Sequence, residues 1–183
     1  MLHYKIESNI INDILDRIQK DMITPRNMGL LKSGKRNEFL DIFNSIDISP
    51  IINITSRVMF DSWHYKVLNG FHNHIFPIYR DNLKTDKGNP YSYSARLLNK
   101  YFKLLFTRSW FYNELQIKLI DFLHPIISNK FIKSFPQLDI SRVNQIKTEK
   151  KYYGIVEFYR ELLDKDLSKK NKPLLDMEYG IEY

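Results

Sequence analysis

The stretch that decides the fold runs from Asn89 to Trp110 and reads NPYSYSARLLNKYFKLLFTRSW. At about 100° per residue, its apolar side chains cover more than half of a helix circumference. They are Ala95, Leu97, Leu98, Tyr101, Phe102, Leu104, Leu105 and Phe106. The polar stripe that remains is narrow and consists of Arg96, Lys100, Lys103 and Thr107. The pattern therefore predicts a mostly buried helix with one basic stripe.

Helical periodicity recurs along the rest of the chain. It predicts an all-α protein, a single compact multi-helix domain of roughly seven or eight helices that spans residues 1–172. Residues 173–183, PLLDMEYGIEY, hold three acids and no bases and are predicted to form a separate acidic C-terminal tail. Two interpretations of this tail remain, namely disorder and docking of its leucines and methionine on the basic body.

The middle of the chain contains a good helix start at Ser49-Pro50, because serine can cap a helix and proline suits its first turn. A helix is predicted from there to Leu68, with Gly70 as its C-terminal stop. The β-branched run Ile51–Thr55 leaves a strand as the alternative at this point. Residues 71–90 contain prolines and a glycine and are predicted to be a connection that contains one short helical turn.

Composition limits the class of protein and of partner. The chain has 183 residues, 28 Lys and Arg against 21 Asp and Glu, and a formal net charge of +7. Such an excess favours polyanionic partners, namely DNA or another polyanion, an acidic protein or an anionic membrane surface. Because the chain is rich in Lys, Asn and Ile throughout, the charge is only partial support for nucleic acid. The absence of cysteine excludes disulfides, thiolate nucleophiles and cysteine-ligated metal sites.

The N-terminus has no basic region leading into an apolar run, so no signal peptide is predicted. No uncharged apolar run approaches the roughly 20 residues needed to span a bilayer. The sequence predicts a soluble, cytoplasmic protein that does not bind membranes.

The stretch around the basic stripe supplies candidate nucleic-acid contacts. Tyr91 and Tyr93 precede the apolar positions and are candidates for stacking on bases, with burial in the core as the alternative. Phosphate contacts are predicted for the basic residues of the stretch, Arg96, Lys100, Lys103 and Arg108.

Motifs for other chemistry do not occur. The sequence lacks a glycine-rich phosphate loop, a zinc-protease HExxH motif and a GxSxG nucleophile elbow. His72 and His74 would point the same way only if they lay on a strand, where they could provide two metal nitrogens. Without a supporting acidic motif, neither a metal nor another cofactor is expected.

Two fragments carry a resemblance. YSYSARLLNKYFKLLF and FLHPIISNKFIKSF resemble segments of uncharacterised bacterial helical proteins that are distantly similar to helix-hairpin-helix DNA glycosylases of the 8-oxoguanine type. The resemblance lies between Pro77 and Arg160 and implies a helical fold. Those glycosylases use a lysine and an aspartate, whereas Arg96 and Ser128 stand at the corresponding positions here, and the glycines of the hairpin are missing.

Two functions follow as expectations. One is a nucleic-acid-binding helical protein, for which the resemblance implies glycosylase-like action on DNA bases, with Asp121, His124 and Ser128 as the candidates for chemistry. The other is a non-enzymatic interaction module or subunit that binds an acidic partner through its basic face. The sequence does not decide whether the protein is an enzyme, and it does not indicate an oligomeric state.

Overall fold

In a computed structural model, the chain is described over residues 12–14, 16–17, 36–82, 91–106, 119 and 121–165. The regular structure in these ranges is helical and contains no β-strand. The elements with both ends described are α1 (Arg36–Asn44), η1 (Ser49–Asn53), α2 (Arg57–Asn82), α3 (Tyr91–Phe106), α4 (Asn129–Lys133), η2 (Pro136–Leu138), η3 (Val143–Gln145) and α5 (Glu149–Lys165), where η denotes a 3₁₀-helix. The predicted all-α class is confirmed.

The chain divides into two compact units, Met1–Lys87 and Gly88–Tyr183, here called the N-terminal and C-terminal units. The single domain over residues 1–172 stays a prediction. The acidic tail, residues 173–183, lies outside the described residues.

The helix predicted from Ser49 onwards is interrupted in the N-terminal unit. It forms the short η1 and then an extended residue at Ile54, with φ −73° and ψ 117°. Helix α2 restarts three residues later, because the Ser56 hydroxyl accepts a hydrogen bond from the backbone N–H of Met59 at 3.3 Å and caps the new helix. The strand alternative for Ile51–Thr55 is wrong.

Gly70 lies inside α2 and does not end it, so the predicted stop is wrong, and the helix runs on to Asn82 through a segment predicted to be a connection. Glycine in a helix interior costs about 1 kcal/mol relative to alanine. The same turns bury Phe71 and Ile75, and burial of one such side chain contributes about 1.5–3 kcal/mol. Packing therefore outweighs the local preference of Gly70. Phe71 also contacts Phe43 of α1, with ring centroids 5.1 Å apart.

In the C-terminal unit, α3 is the buried helix that the sequence predicts. The described core includes its residues Ala95, Leu98, Tyr101, Phe102, Leu105 and Phe106, each at most 1% exposed. Burial raises the pKa of the Tyr101 hydroxyl well above its ordinary value of 10.0. Helix α5 adds the buried aromatic residues Tyr152 and Tyr159.

Two hydroxyl side chains begin the helices that follow α3. The Ser128 hydroxyl accepts from the backbone N–H of Phe131 at 3.1 Å and caps α4. Likewise, the Thr148 hydroxyl accepts from Lys151 N–H at 3.3 Å at the start of α5. The Asn129 side chain accepts from Val143 N–H at 2.9 Å, so α4 is joined to η3. These contacts fix the segment that leads into α5.

Candidate functional site

The predicted basic stripe, Arg96, Lys100 and Lys103, lies on the partly exposed face of α3. All three residues are half-buried, between faces occupied by buried apolar side chains. Because α-helical residues three or four apart are neighbours on the helix surface, the three cations form one continuous row. Arg108, the fourth predicted phosphate contact, lies outside the described residues.

The two candidate stacking residues differ in exposure. Tyr91 is 3% exposed, and its ring centroid lies 6.1 Å from that of Tyr152. This position matches the core alternative and leaves no ring face for a base. Tyr93 is half-buried and lies one turn before Arg96, on the same face as the basic stripe. Of the two tyrosines, Tyr93 has the geometry of a residue that can contact a ligand.

The three candidates for chemistry have different surroundings. Asp121 is exposed. His124 is 1% exposed, and its Nδ1 lies 3.1 Å from the Tyr152 hydroxyl. The Ser128 hydroxyl is the cap of α4, which is an ordinary structural role for serine. This arrangement gives His124 and Ser128 structural partners.

A buried polar network joins α3 to α5, and sequence analysis did not find it. The Asn99 side-chain amide donates to the Tyr152 hydroxyl at 2.7 Å and to the Pro125 carbonyl at 3.0 Å. Since the Tyr152 oxygen accepts from Asn99, its own hydrogen can be donated to Nδ1 of His124. The signal was present in the sequence, because Asn99 is a polar residue outside the basic stripe on the apolar side of α3.

Sequence analysis also missed an exposed basic cluster around the start of α5. Its members are Arg142, Lys147, Lys150 and Lys151, all exposed. Lys150 and Lys151 lie in the first helical turn, where the partial positive charge of the helix disfavours a cation by about 0.3–1 kcal/mol. The two lysines are therefore not explained by the stability of α5. Glu157 and Glu161 are exposed in later turns, and Lys165 is exposed in the last one.

The basic cluster is adjacent to the beginning of α3. The backbone N–H of Ser92 donates to the carbonyl of Ile146 at 3.3 Å, and Lys147 is the next residue. Ser92 in turn precedes Arg96 by one helical turn. Lys147 is thus close to the N-terminal end of α3, where the basic stripe begins.

Charge is unevenly distributed between the described parts of the two units. In the C-terminal unit, residues 91–106 and 121–165 hold eleven Lys and Arg against six Asp and Glu. In the N-terminal unit, residues 12–14, 16–17 and 36–82 hold five against seven. Over these ranges, the basic excess belongs to the C-terminal unit, which also carries the basic stripe and the basic cluster.

The N-terminal unit has different surface features. Four large apolar residues of η1 and α2 are exposed, namely Ile52 (46%), Val58 (77%), Met59 (44%) and Tyr65 (41%). A groove of about 200 Å³ lies between α1 and α2, and its lining includes Ile42, Asp47, Lys66 and Phe71. Its mixed lining does not select one class of ligand.

His72 and His74 lie on α2 and not on a strand. Residues two apart on a helix point about 200° away from each other, so the pair does not form a two-nitrogen metal site. His72 is 8% exposed, whereas Nδ1 of the exposed His74 lies 2.7 Å from the Gly70 carbonyl oxygen. Over the described ranges, no group of three or more His, Asp or Glu side chains is placed to hold a metal ion.

Comparison with known proteins identifies no relative: no family model, no curated protein and no solved structure matches this chain. None of the helices within the described ranges combines the length and the apolarity needed to cross a bilayer.

Proposed function

We propose that the protein binds nucleic acid through the C-terminal unit, with the basic cluster and the basic stripe in contact with phosphates. The observation that carries this proposal is the exposed basic cluster at the start of α5. Exposed Lys and Arg that neutralise phosphates release condensed counterions, which is the main driving force of sequence-independent nucleic-acid binding. No reaction is part of the proposal.

The position of the lysines supports a role in binding. Lys150 and Lys151 lie where the helix macrodipole disfavours a cation. Acidic side chains would be the stabilising choice in that turn, and Glu149 is one. A bound polyanion would offset this repulsion, because its phosphates are attracted both to the lysines and to the helix start.

Tyr93 supports a single-stranded ligand in preference to a duplex. Its half-buried ring is held on the same face as the basic stripe, so a phosphate and the neighbouring base can be contacted together. Stacking of an unpaired base on an aromatic side chain contributes about 1–3 kcal/mol and tolerates any sequence. In a duplex the base faces are already stacked and are not accessible to such a ring.

Base chemistry of the glycosylase type has weaker support than binding. An enzyme of that kind needs a carboxylate beside a pocket that receives a flipped base. Asp121 is the carboxylate among the three predicted catalytic residues, and it is exposed. His124 is buried and Ser128 caps α4, so their present contacts are accounted for by the fold.

Binding can be tested by titrating labelled single-stranded DNA and RNA of mixed sequence into the protein at two salt concentrations. We expect binding at low salt that weakens at high salt, and tighter binding to single strands than to a duplex of the same length. Tyr93→Ala should reduce affinity for single strands by about 5- to 150-fold, as expected for the loss of one stacked base. Tyr65→Ala, an exposed tyrosine of the N-terminal unit, is the matched control. Absence of binding at low salt would exclude the proposal.

The second candidate function is a protein-interaction module, and the exposed apolar residues of η1 and α2 favour it. Val58 is 77% exposed, which leaves most of an apolar side chain in contact with water. If this function is correct, the protein co-purifies with a defined protein after nuclease treatment, and Val58→Asp abolishes the association. Loss of every co-purifying protein after nuclease treatment would instead favour nucleic acid.

A further inference from the structure

We infer that the junction between α3 and the segment before α5 contains a binding site for one phosphate group, formed by Arg96, Ser92 and Lys147. The site rests on the proposed function for its biological ligand, which is a backbone phosphate of the bound strand. Its chemistry can be tested without nucleic acid.

The first argument is a pair of unsatisfied buried polar atoms. Within the part of the chain that the structure describes, neither Ser92 Oγ nor Arg96 Nε has a hydrogen-bond partner, although both are inaccessible to water. Leaving a buried donor unsatisfied is destabilising, and more so for a charged group. Proteins rarely retain such atoms without a reason, so a pair of them calls for an explanation.

The second argument is that the two residues are neighbours on α3. Ser92 and Arg96 are four residues apart on α3 and therefore lie on one helix face, with about 6 Å of axial rise between them. Ser92 is only 4% exposed, whereas Arg96 is half-buried. Part of Arg96 is therefore in contact with solvent, although its Nε is not.

The third argument is the additional cation. The Ser92 N–H to Ile146 carbonyl hydrogen bond holds Lys147 close to the same end of α3, and Lys147 is exposed. A guanidinium edge, a hydroxyl and an ammonium group are the donors that proteins combine around a phosphate, with arginine making paired hydrogen bonds. In the free protein, Ser92 Oγ and Arg96 Nε have no hydrogen-bond partner and are out of reach of water. Binding of a phosphate therefore requires these two side chains to turn outward, and a phosphate oxygen would then be their acceptor.

The site makes an unusual prediction about stability. Ser92→Ala removes an unsatisfied buried hydroxyl and places a strong helix former in α3. Without phosphate, the variant should unfold at a higher urea concentration than the wild type. With phosphate, it should bind more weakly. A serine with only a structural role would not separate these two effects.

The test is a titration of the full-length protein with inorganic phosphate at constant ionic strength, with chloride as the balancing salt. The readout is the NMR signal of the Arg96 Nε–H group, assigned by its loss in Arg96→Lys. We expect a saturable shift of this signal, about tenfold weaker phosphate binding in Ser92→Ala, and weaker binding in Lys147→Ala. Lys165→Ala removes an exposed lysine of the same unit and is the matched control.

A shift that is linear in phosphate and unchanged in Ser92→Ala would overturn the site, because screening alone produces it. The same conclusion follows if Lys165→Ala weakens binding as much as Lys147→Ala. Nucleic-acid titration of the wild type separates the two proposals. If a single strand binds and phosphate does not, the phosphate site is wrong and the proposed function stands. If phosphate binds and a single strand does not, the phosphate site stands and the proposed function is wrong.

Discussion

The side-chain amide of Asn99 and the hydroxyl of Tyr152 form a 2.7 Å hydrogen bond inside the C-terminal unit, although 53 residues separate them in sequence. This bond connects the helix that carries the basic stripe to the helix whose first turn carries two lysines of the basic cluster. Both side chains are buried, so neither can exchange its partner for water without local opening. The relative register of α3 and α5 therefore depends on a polar contact as well as on apolar packing.

Tyr152→Phe should destabilise the protein. The change leaves the Asn99 amide and His124 Nδ1 without the hydroxyl that each contacts, at a cost of about 1–3 kcal/mol in unfolding free energy. Asn99→Leu should cost a similar amount. The double variant should lose less than the two single variants together, by about 0.5–3 kcal/mol, because the pair shares one interaction. Urea unfolding of the four proteins measures this, and strictly additive losses would contradict the role of the bond.

Stability at alkaline pH should depend on Tyr101. Burial raises the pKa of its hydroxyl in the folded protein above the ordinary value of 10.0, so the neutral form is favoured by folding. The stabilisation that this pKa difference provides is complete below about pH 10. It is lost as the pH rises further, because the unfolded chain releases the proton first. The unfolding free energy should fall by up to about 1.4 kcal/mol per pH unit from this group.

Tyr101→Phe provides the control for that prediction, since it removes the titrating hydroxyl and keeps the ring. Unfolding free energies of the wild type and the variant should be measured between pH 8 and pH 11. The pH dependence above about pH 10 should be shallower in the variant. Parallel curves over this range would show that Tyr101 does not titrate differently in the folded and unfolded states.

Substitutions of Ser128 distinguish a cap from a catalytic residue. Ser128→Ala should cost about 0.5–2 kcal/mol, because the hydroxyl no longer accepts from Phe131 N–H at the start of α4. Ser128→Asp introduces the residue found in the glycosylase pattern and can accept the same hydrogen bond. It should therefore retain wild-type stability in thermal unfolding. If aspartate destabilises as much as alanine, capping does not explain this position.

Much of α3 could be predicted from sequence because helical periodicity is a local property. The apolar and polar sides assigned from Ala95, Leu98 and Lys100 agree with their burial in the structure. Gly70 shows the opposite case, because its local preference is overruled by the packing of α2. Local sequence preferences do not indicate where tertiary packing will continue a helix through a glycine.

The buried network around Tyr152 could not be predicted, for a related reason. Asn99 was visible as a polar residue on an apolar side, but its partner lies on another helix. The sequence likewise allowed either a core or a surface position for both Tyr91 and Tyr93. The structure buries Tyr91 and leaves Tyr93 partly exposed, a difference that depends on how α5 packs against the start of α3.

The central claim is that the basic cluster contacts phosphates, and the salt dependence of single-strand binding tests it most directly. The variant with Lys147, Lys150 and Lys151 changed to alanine should be compared with one in which Arg17, Lys66 and Lys165 are changed to alanine. All six residues are exposed, and both variants lose three positive charges. For the cluster variant, we expect the slope of log affinity against log salt to become shallower by about 2, as for three lost phosphate contacts on a single strand. The control should keep the wild-type slope. Equal slopes for the two variants would contradict the claim.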